Sequence, residues 1–239
     1  TSRLEYPLFE GYDRGLPAVQ TFDQLNFRSG SHDMSMRGFY MSNRFTDDTM
    51  LDMGHLAPHG RFVHMYVNGV YWGQFHMRER WNADMLAQYF GGDKDDYEAI
   101  NGNLNVGGWS PGDAYDGDGS GWEFIKSLAG DFEAIRQYLD LTNYIDYMLL
   151  YMSGNSENEY RTGGIVVGCV PYVFFLNDAD GWLRSVGDRT GNVGPGDILS
   201  GLIAEGHPDF QMLLADRIQR LFFNDGALTP EKSVARLQE

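Results

Sequence analysis

One stretch in the first third of the chain decides the fold, and it reads Arg61-Phe62-Val63-His64-Met65-Tyr66-Val67-Asn68-Gly69-Val70-Tyr71-Trp72-Gly73-Gln74-Phe75-His76-Met77. On both sides of the Asn-Gly pair the residues alternate as they do in half-buried strands. Asn-Gly is the strongest short signal for a β-hairpin, because both turn residues must accept a positive φ angle. The stretch therefore predicts a hairpin of residues 61–67 and 70–77 that turns at Asn68-Gly69.

Helix signals follow the hairpin. Asn82 is placed to cap a helix that ends at Gly91-Gly92, and its predicted buried face is Met85, Leu86, Tyr89 and Phe90. Helices are also predicted at 122–128, 132–139, 143–152 (capped by Thr142), 198–204 and 209–223, with a last one starting at Thr229-Pro230.

The remaining segments are predicted as strands and loops. The strands are 97–100, 165–170, 172–176 and 182–186, and the loops are 101–121, 154–164 and the turn 177–181. The chain is thus β-rich first and mostly helical later, with an antiparallel pair inserted late. This order predicts an α+β fold with two lobes.

Composition narrows the classes of function. The net charge is −16 and the hydrophobic fraction is 42%, so the chain can build a core, and it is expected to repel nucleic acid and anionic membrane surfaces. Lys and Arg are scattered along the sequence, and no apolar run is long enough to insert in a membrane. The lone Cys169 excludes an intrachain disulfide and a zinc–cysteine site. A divalent cation is the ligand that fits this charge best.

The strongest candidate site is Asn177-Asp178-Ala179-Asp180-Gly181, which follows the β-like run 172–176. Two carboxylates this close disfavour joint ionisation unless a cation lies beside them, and Mg²⁺ and Ca²⁺ prefer oxygen ligands of this kind. The other interpretation is an ordinary Asx turn, because Asn, Asp and Gly are favoured turn residues.

A second candidate is the loop of residues 154–160, where Glu157 and Asn158 follow a predicted helix. Its carboxylate and amide groups are suited either to position a hydroxyl nucleophile or to bind a second metal ion. A solvated helix end is the other interpretation.

A third candidate is the acidic segment 113–121. Asp116 and Asp118 match the opening of an EF-hand calcium loop, but Ser127 stands where the closing Glu belongs. Two interpretations stay open, a flexible acidic loop and a weak Ca²⁺ site at Asp116 and Asp118.

A fourth candidate is Arg78-Glu79-Arg80 at the end of the hairpin. Its carboxylate is suited to pair with a basic residue that binds phosphate. The other interpretation is a surface charge cluster. The P-loop, Rossmann and nucleophile-elbow signatures are missing from the sequence.

The stretch from Phe62 to Arg80 resembles the signature hairpin of the CotH (spore-coat protein H) kinase family, whose pattern there is vylNGeYwGlY.l.E. The likeness continues on both sides of the hairpin and spans residues 4–230. Its further elements are the arm of Phe27-Arg28-Ser29-Gly30 with Asp33, the helix 84–92, the "dYd.i" strand 96–100, the "N.D...N" element at Gly154-Asn155 and the "W-D-x-D/E" element within 174–180.

The resemblance implies an atypical protein-kinase-like fold in a single domain, 1–239, that lacks its N-terminal strands. Residues 1–101 would form the part like an N-lobe and 102–239 the mostly helical part like a C-lobe. The implied activity is transfer of phosphate from ATP to Ser or Thr of a protein substrate with Mg²⁺ or Mn²⁺. Carried over by position, the residues are Glu157 and Asp178 for catalysis, Asp178, Asp180 and Asn158 for metal, and Glu79 and Arg28 for the cofactor.

Three positions depart from the family pattern. The strand with the phosphate-gripping Lys is expected upstream of Leu4, Ser156-Glu157 stands in place of the catalytic Asp, and Asn177 replaces a Trp. The alternative function is therefore an inactive kinase-like module that binds Ca²⁺ or a protein partner on a cell surface. Glycoside hydrolysis by paired carboxylates is a third hypothesis. Relatives in bacterial secreted and surface proteins favour an extracellular or cell-surface location.

Overall fold

The computed structural model describes residues 3–12, 14–30, 40–103, 114–154, 159–165, 170–176, 179 and 195–238. The strands in these ranges are β1 (Leu4–Glu5), β2 (Thr21–Phe22), β3 (Leu25–Arg28), β4 (Gly60–Val67), β5 (Val70–Glu79), β6 (Glu98–Asn103), β7 (Ala114–Asp116), β8 (Glu159–Ile165) and β9 (Val170–Phe175). The helices are α1 (Ser42–Asp52), α2 (Ala83–Phe90), α3 (Ser120–Ser127), α4 (Phe132–Ile135), α5 (Leu141–Gly154), α6 (Gly196–Glu205), α7 (Pro208–Phe222) and α8 (Pro230–Gln238).

The predicted hairpin is confirmed as β4 and β5. Its turn residues Asn68 and Gly69 have φ angles of 51° and 80°, the left-handed conformation that this pair tolerates. β5 continues to Glu79 and pairs on its other side with β3, so it is the central strand of an antiparallel sheet in the order β3-β5-β4. This sheet places Arg28 opposite His76.

The predicted helices are confirmed with shifted ends. Asn82 caps α2 as expected, and its side chain accepts a hydrogen bond from the Met85 N–H at 2.9 Å. Phe90, predicted on the buried face, is 39% exposed. The prediction of Thr142 as the α5 cap is wrong. Asp140 takes that role, because it directly precedes Leu141 and its carboxylate accepts from the Asn143 N–H at 2.9 Å.

A second antiparallel sheet has the strand order β7-β6-β8-β9. Its strands correct the predicted loops 101–121 and 154–164. β6 extends to Asn103, β7 lies inside the first range, and all of β8 except Ile165 lies inside the second. Ile165 and Val170 were predicted on one strand, but they face each other across β8 and β9. Apart from Ala179, the predicted turn 177–181 and strand 182–186 lie outside the described residues.

Close packing explains why these strands carry glycine. A Cβ atom on Gly163 would clash with the carbonyl oxygen of Glu98, and one on Gly102 would clash with the Tyr160 ring. Glycine within a strand permits such close approach. The same residue is a turn signal in a sequence pattern, so the pattern favoured loops where the structure has strands.

The largest core surrounds α5 and β9. The Phe174 ring lies 5.1 Å from that of Tyr147, 5.2 Å from that of Tyr144 and 5.6 Å from that of Trp122, between ring centroids. All four side chains are fully buried, so this packing fixes β9 against α5.

The mixture of helices and antiparallel sheets confirms the α+β class. The two-lobed division and the single domain of 1–239 stay predictions. Among the described helices, none has the length and hydropathy needed to cross a lipid bilayer.

Candidate functional site

The predicted catalytic and metal-binding residues lie next to described structure. Glu157, Asn158, Asp178 and Asp180 are themselves outside the described residues, so the predicted convergence of Glu157 and Asp178 stays a prediction. The elements that lead into both segments are described. They are α5 and β8 on either side of 155–158, and β9 before 177–178.

The pairing of β8 with β9 brings the start of β8 and the end of β9 to the same edge of the sheet. The strands are antiparallel, with Arg161 opposite Phe175 and Thr162 opposite Phe174. In an antiparallel pair the first residues of one strand lie beside the last residues of the other. The chain therefore enters β8 and leaves β9 at the same edge.

Asn143, on α5, fixes the backbone of β9 shortly before this edge. Its side-chain oxygen accepts from the Phe174 N–H at 2.6 Å, and its side-chain nitrogen donates to the Phe174 carbonyl at 3.3 Å. Asn143 is 1% exposed. A buried amide that satisfies both backbone groups of one residue holds the strand in a single register.

Asn43, on α1, fixes the chain just beyond β9. Its side-chain oxygen accepts from the backbone N–H of Ala179 at 3.0 Å, and both residues are buried. Ala179 is the residue between Asp178 and Asp180. The sequence analysis missed Asn43 and Asn143. Asn143 is an amide inside a mostly apolar helical pattern, whereas Asn43 stands among other polar residues of α1, a helix that the sequence analysis did not predict.

Glu79 is buried rather than part of a surface charge cluster, so that interpretation is wrong. One of its oxygens accepts from the His59 N–H at 2.7 Å and lies 2.9 Å from His59 Nδ1, and the other accepts from the Tyr89 hydroxyl at 2.8 Å. Burial and the Glu79 carboxylate raise the pKa of Tyr89. Among the described residues, the partners of Glu79 are thus His59 and Tyr89.

Arginines that are scattered in the sequence converge on His76. Burial lowers the pKa of His76 to about 2, and the charges of Arg78, Arg44 and Arg28 lower this pKa as well. Arg28 and Arg78 come from β3 and β5, and Arg44 comes from α1. Lys and Arg are scattered along the sequence, but strand pairing and helix packing collect these three arginines around one histidine.

Buried carboxylates of α1 hold two of these arginines. Asp47 accepts from Arg78 Nη1 at 3.2 Å, and Asp48 accepts from Arg44 Nε at 2.9 Å. Asp48 also bonds the hydroxyl of Tyr12. Residues 42–51 of α1 are all buried, so this helix is a polar element inside the fold, with one end near the candidate site.

Asp116 and Asp118, the expected calcium ligands, contact backbone N–H groups. Asp116 accepts from the Ala83 N–H at 2.9 Å and Asp118 from the Ser120 N–H at 2.9 Å. Hydrogen bonds from Ser120 lower the pKa of the exposed Asp118. Both carboxylates thus lie at starts of helices, where a negative charge is stabilising.

Within the described ranges, one group of side chains could hold a metal ion, and it contains no predicted site residue. The candidate ligand atoms of Glu133, His207 and Asp209 all lie within 4.8 Å of one another. His207 Nδ1 accepts from the Asp209 N–H at 3.3 Å, which leaves Nε2, 3.7 Å from Glu133, as its ligand atom.

A comparison with protein families gives one match, to a family described as CotH kinase protein, over residues 5–153. This is more than half of the 239 residues. The matched segment includes the hairpin, Arg28, Glu79 and Asn43, and it ends before Glu157 and Asp178. No curated protein matches the chain.

Proposed function

Because the chain belongs to the CotH kinase protein family, we propose that it transfers phosphate from ATP to Ser or Thr of a protein substrate with the help of Mg²⁺ or Mn²⁺. Phosphoryl transfer demands positioning and charge neutralisation more than covalent chemistry. An active site of this kind needs metal ligands and a catalytic carboxylate that are held at fixed positions relative to each other.

The observation that carries the proposal is the shared edge of β8 and β9. The pairing of Arg161 with Phe175 supports a site at which Glu157, just before β8, approaches Asp178, just after β9. The bond from Ala179 to Asn43 supports a fixed backbone between the two proposed metal ligands, Asp178 and Asp180.

The proposed roles follow from the chemistry of each side chain. Asp178, Asp180 and Asn158 offer only oxygen ligands, which suit Mg²⁺ and Mn²⁺. A bound metal would neutralise charge on the phosphate groups. Glu157 is proposed to accept the proton of the substrate hydroxyl as it attacks.

Arg28 and Glu79 are proposed to serve the cofactor in different ways. Arg28 belongs to the cationic group around His76, and a guanidinium suits phosphate. Glu79 is bonded to His59 and Tyr89, so we propose that it positions the end of β5 rather than touching ATP itself. An extracellular or cell-surface location is proposed from the family resemblance alone.

The test is a thermal melt with and without MnCl₂ and ATP, followed by an assay for phosphate transfer from labelled ATP to the chain itself or to casein. The wild type is expected to melt at a higher temperature with both ligands, and Asp178→Ala is expected to lose this shift. Asp225→Ala removes an exposed carboxylate elsewhere and serves as the matched control. Stabilisation by Ca²⁺ alone, with no effect of ATP, would instead favour the inactive kinase-like module.

A further inference from the structure

A groove lined by arginines lies between the N-terminal segment, α1, the start of β4 and α8. Its volume is about 550 Å³, within the usual range for small-molecule sites. The cationic side chains that line this arginine groove in the described part of the chain are Arg14, Arg44, Arg61 and Arg236. Among the described residues, two carboxylates line it, although the whole chain has 34 acidic and 18 basic residues.

Carboxylates hold three of the four guanidinium groups in place. Asp52 accepts from Arg14 Nη1 at 2.8 Å with both oxygens and from Arg236 Nε at 2.7 Å. Asp48 holds Arg44 through Nε at 2.9 Å. These bonds fix the directions of the remaining N–H groups before any ligand arrives, which lowers the entropic cost of binding.

Donors remain available after these pairings. Arg236 is 6% exposed, and its buried Nη1 has no hydrogen-bond partner in the described part of the chain. The exposed Arg61 has no carboxylate within 4.0 Å among the described residues, and its Nη2 only reaches the Glu10 carbonyl at 3.4 Å. A buried guanidinium N–H without a partner is costly, so an anion in the groove would be stabilised.

Apolar and aromatic side chains line the groove as well. Tyr12, Met41 and Phe62 line it, and the ring of Phe62 is supported by Tyr40 at 5.0 Å between centroids. A cluster of arginines beside aromatic side chains suits a ligand that has both an anionic group and an organic group.

The groove and the contact between Asn43 and Ala179 lie on different sides of α1. On α1, with its 3.6 residues per turn, Asp48 and Asp52 lie about 140° and about 180° around the helix axis from Asn43. Asn43 contacts Ala179, whereas Asp48 and Asp52 line the groove. The two features therefore lie on opposite sides of a buried helix.

We propose that the arginine groove binds the phosphate group of a small phosphate monoester, on the other side of α1 from the Asn43–Ala179 contact beside the proposed metal ligands. Arginine matches phosphate geometry with paired N–H donors and stays charged at any physiological pH. Arg61 and Arg236 supply free donors, and Tyr12 and Phe62 contact the organic part.

The experiment is calorimetric titration of the full chain with inorganic phosphate and with phenyl phosphate, in a buffer containing a metal chelator. Phenyl phosphate is expected to bind saturably with a dissociation constant of ~1 mM or lower, and more tightly than inorganic phosphate. Arg61→Ala is expected to weaken binding about tenfold, as for a lost hydrogen bond between charged groups. Arg61 is exposed and has no carboxylate partner in the described ranges, so the variant should fold.

Two variants make the outcome specific. Arg136→Ala removes an exposed cation just after α4 and should bind phenyl phosphate like the wild type, and so should Asp178→Ala. Equal affinity for the two anions, full affinity in Arg61→Ala, or loss of binding in Asp178→Ala would each overturn the proposal. Failure of metal-dependent ATP binding would leave these results unchanged, so the two proposals can fail separately.

Discussion

The side-chain oxygen of Asn43 accepts a hydrogen bond from the backbone N–H of Ala179, 136 residues further along the chain, at 3.0 Å. This bond joins α1, in the first quarter of the sequence, to the short segment that carries Asp178 and Asp180. Asn143 performs a similar task five residues earlier, at Phe174. The proposed metal ligands thus depend on amides from two helices that belong to different parts of the sequence.

Replacing Asn43 tests this dependence. Asn43→Ala leaves the buried Ala179 N–H without an acceptor, so the free energy of unfolding should fall by about 1–3 kcal/mol. Urea unfolding measures this loss, and the thermal shift with MnCl₂ and ATP should become smaller. Asn43→Asp keeps an acceptor oxygen at the same place and should recover part of the shift. An unchanged shift in Asn43→Ala would argue against a role for this bond in the site.

Glu79 can be tested as a structural residue. Glu79→Ala removes the buried carboxylate that accepts from the His59 N–H and from the Tyr89 hydroxyl, and the expected loss of unfolding free energy is about 3 kcal/mol. Tyr89→Phe removes the hydroxyl that donates to Glu79 at 2.8 Å and accepts from the Val19 N–H at 3.3 Å, and it should cost about 1–2 kcal/mol. Urea unfolding of both variants gives the comparison. If Glu79→Ala were as stable as the wild type but inactive, the carboxylate would have a direct role at the cofactor instead.

The parts of the fold that could be predicted from the sequence are those with local causes. The hairpin follows from Asn68-Gly69, and the start of α2 follows from Asn82, because turn geometry and capping involve neighbouring residues. The second sheet was only partly foreseen, since β8 needs Gly163 for close packing and glycine signals a turn in a pattern. The contact of Asn43 with Ala179 has no local signal at all.

Acidification should destabilise the protein through His76. Burial and three arginines lower its folded-state pKa to about 2, whereas an unfolded histidine has a pKa of about 6.5. Between these values the unfolded state binds more protons, so the free energy of unfolding falls as the pH falls below about 6.5, by up to about 1.4 kcal/mol per pH unit. Urea unfolding between pH 7 and pH 5 measures the slope.

Variants at two histidines of the same hairpin separate this effect from general acid sensitivity. His76→Phe has no titrating group and should show a shallower pH slope than the wild type, whatever its stability at pH 7. His64→Phe changes an exposed position on β4 and should keep the wild-type slope. Equal slopes in all three proteins would show that His76 does not control the acid response.

The buried pair of Asp146 and Arg217 should affect the free energy of unfolding because each buried charge needs a counter-charge. The attraction between the two charges should add little net stability. Asp146 is fully buried, accepts from Arg217 Nε at 2.7 Å and lies 2.6 Å from His55 Nε2. Asp146→Asn leaves the guanidinium charge buried without a counter-charge, so the expected loss is about 3–5 kcal/mol in urea unfolding. Replacing both partners by leucine removes both desolvation costs, and this double variant should be more stable than Asp146→Asn. A double variant less stable than the single one would mean that the ion pair itself holds α5 to α7.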